Sequence, residues 1–250
     1  MQHVRDQNWT AIGIDFFIVV VGVFVGIQVS NWNDARVERT KERAHLGALR
    51  EDIKNDIIDI NQRIDDLAQV ALYGNQVLTE LGKKDGCAKE CWPVIVRAFH
   101  ASQWFDMTFQ SSFNELQRGG PRNERLKGDI ATYFLQRERT NVTNELPLYR
   151  ELARSIIPIA AQTHLWANCY QLDGRIETMR LDCPPVLTED ESQRVIDAFR
   201  DHPQITSSLT YWLSSNEVTK QGLTDQLKVA GALIASIDSE IGAGIGKPAT

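Results

Sequence analysis

The chain has 250 residues, a formal charge of −6, and charged residues at 24% of its composition. Lys and Arg are interspersed with Asp and Glu rather than set in a stripe, so composition and charge exclude a general electrostatic attraction to nucleic acid. The residues after the first thirty or so are ample for one globular core.

Read in chain order, a short tail (1–10) precedes the stretch "IDFFIVVVGVFVGIQVSNWND" at 14–34. From Ala11 to Val29 only Asp15 and Gln28 interrupt an apolar run of 19 residues. About 20 helical residues at a rise of roughly 1.5 Å each cross a bilayer core of about 30 Å. The pattern therefore predicts one transmembrane helix over 11–31, with Trp9 and Trp32 as interfacial anchors at its two ends. A cleaved signal peptide is the competing reading, but no A-x-A-like site follows, since Gln28, Val29, Ser30 and Asn31 come next.

At about 100° per residue, Asp15, Gly22, Gly26, Ser30 and Asn33 fall within a sector of about 80°, one small and polar stripe on a bulky apolar rod. Gly22-x-x-x-Gly26 has the spacing that lets two helices approach closely. A carboxyl inside a span calls for pairing, protonation or nearness to the interface. The stripe predicts packing against another helix, from a second copy or from a different membrane protein. The competing reading leaves Asp15 tolerated at a helix start and the glycines incidental.

From Asp34 to Leu81 there is no Pro. Leu46, Leu49, Ile53, Ile57, Ile60, Ile64, Leu67 and Ala71 step by 3, 4, 4, 3, 4, 3 and 4, a helical stripe. The spacing predicts a long stalk helix over 32–81, continuous with the span. Its carboxylates Glu51, Asp52, Asp56 and Asp59 read as the wet face. Glu42-x-x-His45 has half of a di-iron spacing without the other half, because no later His has a Glu three residues before it.

A helical domain over 82–241 follows. "GKKDGCAKECWP" reads as a loop closed by Pro93. Val94–Leu116 reads as helical, with the capping spacing of Ser112 and Glu115 marking a restart. Its aromatic residues Trp104, Phe105, Phe109 and Phe113, with Met107, read as core rather than as a ligand pocket, as do Trp166 and Tyr170. A helical region over 124–166 is interrupted by Pro147 and Pro158. Thr188 and Glu191 form a second capping pair, and a last helix runs from about Gln204 to Ile241 before a Gly-rich tail (242–250). No alternating strand pattern exceeds a few residues. The fold expected is all-α: a transmembrane helix continuing into a long helix, then an extramembrane helical bundle.

Cys87 and Cys91 lie close together, and Cys169 and Cys183 flank a polar segment. An even count in two local pairs suits two disulfides and an oxidising compartment. Free buried thiols or one zinc site are the alternatives, though C-x3-C without a second close pair fits zinc poorly. Arg36, Arg39, Lys41 and Arg43 beyond the span favour a cytoplasmic domain. The cysteines argue for the periplasmic side of a bacterial inner membrane, which is the placement expected here, since the charge rule weakens for long translocated domains.

The span ending in "NWND", the following "ARVERTKERAHLGALREDI" and a later "FNELQRGG" at Phe113–Gly120 resemble an uncharacterised family of bacterial membrane-anchored helical proteins, a domain of unknown function. The likeness covers the first 60 or so residues well and the rest loosely. It implies an anchored helical protein and transfers no catalytic residue. The cysteines are not part of that pattern.

There is no G-x-S-x-G, H-E-x-x-H, Walker loop or G-x-G-x-x-G, and "NVT" at 141–143 is a glycosylation site only in a eukaryotic secretory setting. No enzyme activity, cofactor or metal is expected. The function expected is an accessory or assembly subunit of a membrane complex. The alternative is a periplasmic ligand-sensing bundle that acts through a partner.

Overall fold

One helix organises the molecule. In the computed structural model α1 runs unbroken from Trp9 to Leu81, 73 residues, or about 110 Å. The structure describes residues 9–83, 87, 90–104, 121–142, 146–173 and 176–243. Phe105, Met107, Phe109, Phe113, Leu116, the Ser112–Glu115 pair and the Gly-rich tail from 244 lie outside those residues. Among the described residues there are six further helices and one two-stranded sheet: α2 Cys91–Ala101, α3 Glu124–Val142, α4 Leu148–Ile156, α5 Ile159–Asn168, β1 Tyr170–Asp173, β2 Ile176–Met179, α6 Glu189–Asp201 and α7 Ile205–Ala243.

The stalk is a heptad packing of α1 on α7. On α1 the buried seam positions are Leu46, Leu49, Ile53, Asp56, Ile60, Arg63, Leu67, Val70, Gly74 and Val77, alternating in steps of 3 and 4. On α7 they are Ile205, Leu209, Trp212, Asn216, Thr219, Leu223, Gln226, Ala230, Leu233 and Ile237, with the same alternation. A 3.5-residue repeat keeps one seam of each helix on its partner. The helices are antiparallel. Near the head, a Cβ on Gly74 would come within 2.6 Å of Leu213 Cδ2, so Gly permits close approach there. At the base, Arg50 Nε pairs with Asp238 at 2.6 Å.

A third helix, α3, lies on the lower half. Asn123 caps it by accepting from the Arg125 and Leu126 amides at 3.0 and 3.3 Å. Leu126, Ile130 and Tyr133 close a core with Leu46, Leu49, Ile53, Leu233 and Ile237.

The head surrounds α2, an almost wholly buried helix. The Cys91 amide at its start is satisfied by Glu189 Oε1 at 3.1 Å. At its other end Tyr149 donates to the Ala98 carbonyl at 3.2 Å, Trp212 to Ala101 at 3.0 Å and Arg150 to Ser102 at 3.0 Å. Side chains of α4 and α7 thus cap the Ala101 and Ser102 carbonyls at the buried helix end, and Tyr149 adds a second donor to the Ala98 carbonyl, which already accepts from the Ser102 amide at 3.2 Å. Thr188 and Glu191 form the reciprocal capping box of α6, and Pro147 and Pro158 each sit just before a helix start.

The all-α architecture agrees with the sequence reading, with three corrections. Ile57, Ile64 and Ala71 flank the stalk seam and are only partly buried, while Asp56, Arg63 and Val70 occupy it. α2 begins at Cys91 and ends at Ala101. Pro93 falls inside its first turn, where a missing N–H costs nothing. The polar segment between Cys169 and Cys183 contains an antiparallel hairpin, Tyr170 pairing with Met179 through Asp173 with Ile176.

Candidate functional site

Two surfaces and one buried layer hold the chemistry of this chain. The first surface is the candidate span. Asp15, Gly22, Gly26 and Ser30 lie on a fully exposed stretch of α1 that extends from residue 13 to 34. Nothing stands within 4 Å of a Cβ built on Gly22 or Gly26. Both glycines therefore offer open backbone to a second helix. Trp32 is exposed at the end of the span. Trp9 begins α1, and its ring lies outside the described residues. This helix is the one candidate membrane span among the described residues.

The buried layer corrects the reading of Asp56 as a solvated carboxylate. Asp56 is 6% exposed and accepts from Tyr133 Oη at 2.5 Å. Arg137 Nη1 stands 3.8 Å away. Burial pushes the Asp56 carboxyl above its usual range, against the opposing effects of the Tyr133 hydrogen bond and the Arg137 charge. Burial likewise raises the Tyr133 phenol and lowers the Arg137 guanidinium. Desolvation outweighs attraction here, as expected for a pair taken from water. Asn216, Thr219, Gln226, Arg63 and Asp66 extend the polar zone along the middle of the stalk. Of the other three carboxylates read as the wet face, Glu51 is exposed and pairs with Arg50 and Lys54 at 3.0 and 2.8 Å, while Asp52 and Asp59 are half-buried. Glu42 accepts from the Arg122 amide at 2.7 Å, so it is tied to the base of α3 rather than set in a ligand cluster with His45.

The second surface is the head, where the cysteines sit. Cys87 is bonded to Cys91 and Cys169 to Cys183. Trp92 Nε1 donates to the Cys183 carbonyl at 2.8 Å, linking the two bridged segments. His164 lies with Cys169 and Cys183 within a 4.8 Å group of potential ligand atoms. Both sulfurs are spent on each other, and His164 Nε2 contacts the Pro184 carbonyl at 2.9 Å. The group is a packed corner, not a metal site.

Trp104 packs on the edge of the head core. The Trp166 ring, 37% exposed, meets Phe99 and Tyr170 edge-on at 5.2 and 5.0 Å. His100 is buried with its ring 4.7 Å from Tyr73, and burial lowers its imidazole to about 4. The folded protein thus keeps His100 neutral while the unfolded chain, near 6.5, takes up a proton. Stability is therefore lost as pH falls from about 6.5 towards about 4. By pH 4.5 the His100 contribution amounts to on the order of 2 kcal/mol. Urea midpoints at pH 7 and 4.5 check this: His100→Phe should show a smaller drop than the wild type, and equal drops would remove His100 as the cause.

Comparison with known proteins adds one match. The model of a family of unknown function (DUF6090) matches residues 15–81, which is the span and the outgoing stalk helix. No curated protein and no solved structure matches the chain. The chain is similar, over α1, to a family of unknown function, and it carries one helix long and apolar enough to cross a membrane.

Proposed function

We propose that this is a non-enzymatic single-span membrane protein that acts as an accessory or assembly subunit of a membrane complex. The span docks against another helix in the bilayer, and the helical head engages a partner outside it. The observation that carries this reading is the exposed face of α1, where Asp15, Gly22, Gly26 and Ser30 share one sector and both glycines are open. The unbroken helix adds a mechanical reason. It holds the head about 60 Å from the span's exit, and a heptad seam with polar layers sets the register of α7 against it. A bridged head suits the periplasmic side of a bacterial inner membrane.

The test is purification of the natively expressed, tagged protein in mild detergent, with mass and composition determined. A stoichiometric larger complex is expected, and a chain that is monomeric in the membrane would defeat the proposal. Gly22→Ile with Gly26→Ile should weaken that association by at least about tenfold, because the added side chains hold the backbones apart. Unchanged assembly of the variant would remove the glycine face from the reading.

A further inference from the structure

The C-terminal end of α2 gathers positive charge with no matching acid among the described residues. Arg150 and Arg154 sit one turn apart on α4, and both reach the same residue: Arg150 Nη1 donates to the Ser102 carbonyl at 3.0 Å, and Arg154 Nε to Ser102 Oγ at 3.3 Å. The Arg154 guanidinium lies over Phe99 at 4.8 Å and over Trp166 at 5.2 Å. The rings occupy its faces and leave its edge for hydrogen bonding. No carboxylate pairs with either arginine among the described residues. Burial lowers both guanidinium groups, and the Arg150 charge lowers Arg154 further, to about 10.

Stabilisation of a helix C-terminus accounts for part of this arrangement, since the last carbonyls of α2 favour cations. It uses Arg150 Nη1 and Arg154 Nε only. Arg154 Nη2 is buried without a partner, and so is Nε2 of Gln103, the next residue after Ser102 and 5% exposed. Two half-buried cations with spare donors and no counter-charge among the described residues are costly to hold unless something anionic completes them.

We infer that Arg150, Arg154 and Gln103, around Ser102, form a binding site for an oxyanion, the carboxylate or phosphate group of a soluble ligand. Two guanidinium groups converging on one point match the geometry of such groups. A headgroup of the bilayer that holds the span is out of reach. α2 packs beside Tyr73, about 60 Å along α1 from Ser30. The ligand therefore comes from the aqueous phase. This site is independent of the span, so it stands or falls separately from the accessory-subunit reading.

The experiment uses the full-length protein in detergent. Thermal unfolding is followed with inorganic phosphate and with succinate, each at about 10 mM and at ionic strength held constant with chloride. One or both should raise Tm by about 5 °C over chloride alone. Broadening of the phosphate 31P resonance by the wild-type protein gives a second reading that needs no variant. Arg150→Gln with Arg154→Gln should abolish the shift. Arg154→Lys keeps the charge but loses the fork, and it should weaken binding about tenfold; it serves if the double variant does not fold. A response to phosphate alone or to succinate alone supports the site and names the group. No shift over chloride with either anion, or an equal shift in the arginine variants, overturns the inference.

Discussion

Truncating Asp56 to Ala is expected to cost the folded protein about 3 kcal/mol, more than a surface carboxylate has any reason to contribute. The loss comes from what remains behind. Tyr133 Oη loses its acceptor at 2.5 Å, and Arg137, with a side chain 12% exposed, loses its ion pair to Asp56. Both groups then stay desolvated without the carboxylate that compensated their burial. Replacing all three by apolar residues of similar volume, with Asp56→Leu, Tyr133→Phe and Arg137→Met, should recover most of the loss, since a buried pair contributes little net stability over well-packed hydrocarbon. Chemical denaturation of the two proteins checks both halves. If Asp56→Ala unfolds at the wild-type midpoint, the polar layer has no energetic role.

The same residue has a pH signature opposite in sign to that of His100. Folding raises the Asp56 carboxyl, so its contribution is greatest where the group is protonated and is lost as pH rises through the folded value. His100, held neutral, contributes its loss as pH falls. The two variants should therefore tilt the stability profile in opposite directions.

Removing the bridge between Cys169 and Cys183 is expected to lower stability by roughly 3 kcal/mol, and removing that between Cys87 and Cys91 by about 2 kcal/mol, in the chain-entropy model. The difference follows from sequence separations of 14 and 4. The longer bridge closes the hairpin, whose pairing continues past the strands through the Arg180 amide to the Cys169 carbonyl at 2.9 Å. Serine at both positions of each pair, compared with wild type under oxidising and reducing conditions, separates bond from side chain: reductant should lower the wild type by the sum of the two losses and each variant only by that of the bridge it keeps. Thiol titration of the protein isolated without reductant ties this to the proposed compartment. Four reactive thiols in the native protein would remove the periplasmic placement.

How much of this was legible in one dimension varies by element. The Ser112–Glu115 pair lies outside the described residues, whereas the Thr188–Glu191 box and the breaks at Pro147 and Pro158 are local rules met locally. The stalk shows where local reading fails. Choosing apolar residues led to Ile57, Ile64 and Ala71, one position past Asp56, Arg63 and Val70, which the seam buries. A strict heptad count from Leu46 and Leu49 would have landed on Asp56 and Arg63, but a charged residue at a seam position is read as solvated until its partner is known. The partner of Asp56, Tyr133, is 77 residues away.

The head repeats the lesson at the arginines. Nothing near Arg150 or Arg154 in the sequence distinguishes them from other charges on an amphipathic helix. Their convergence on Ser102, 48 and 52 residues earlier, exists only once α4 packs across the end of α2.

By itself, then, the sequence determined the apolar span with its Asp15 and glycine face, the helical character of the chain and most helix ends, because hydrophobic length, period and capping are properties of neighbouring residues. Only the tertiary structure decided which charges are buried, which carbonyls are capped from other helices and which side chains converge on Ser102, because desolvation and pairing depend on groups brought together across long stretches of chain.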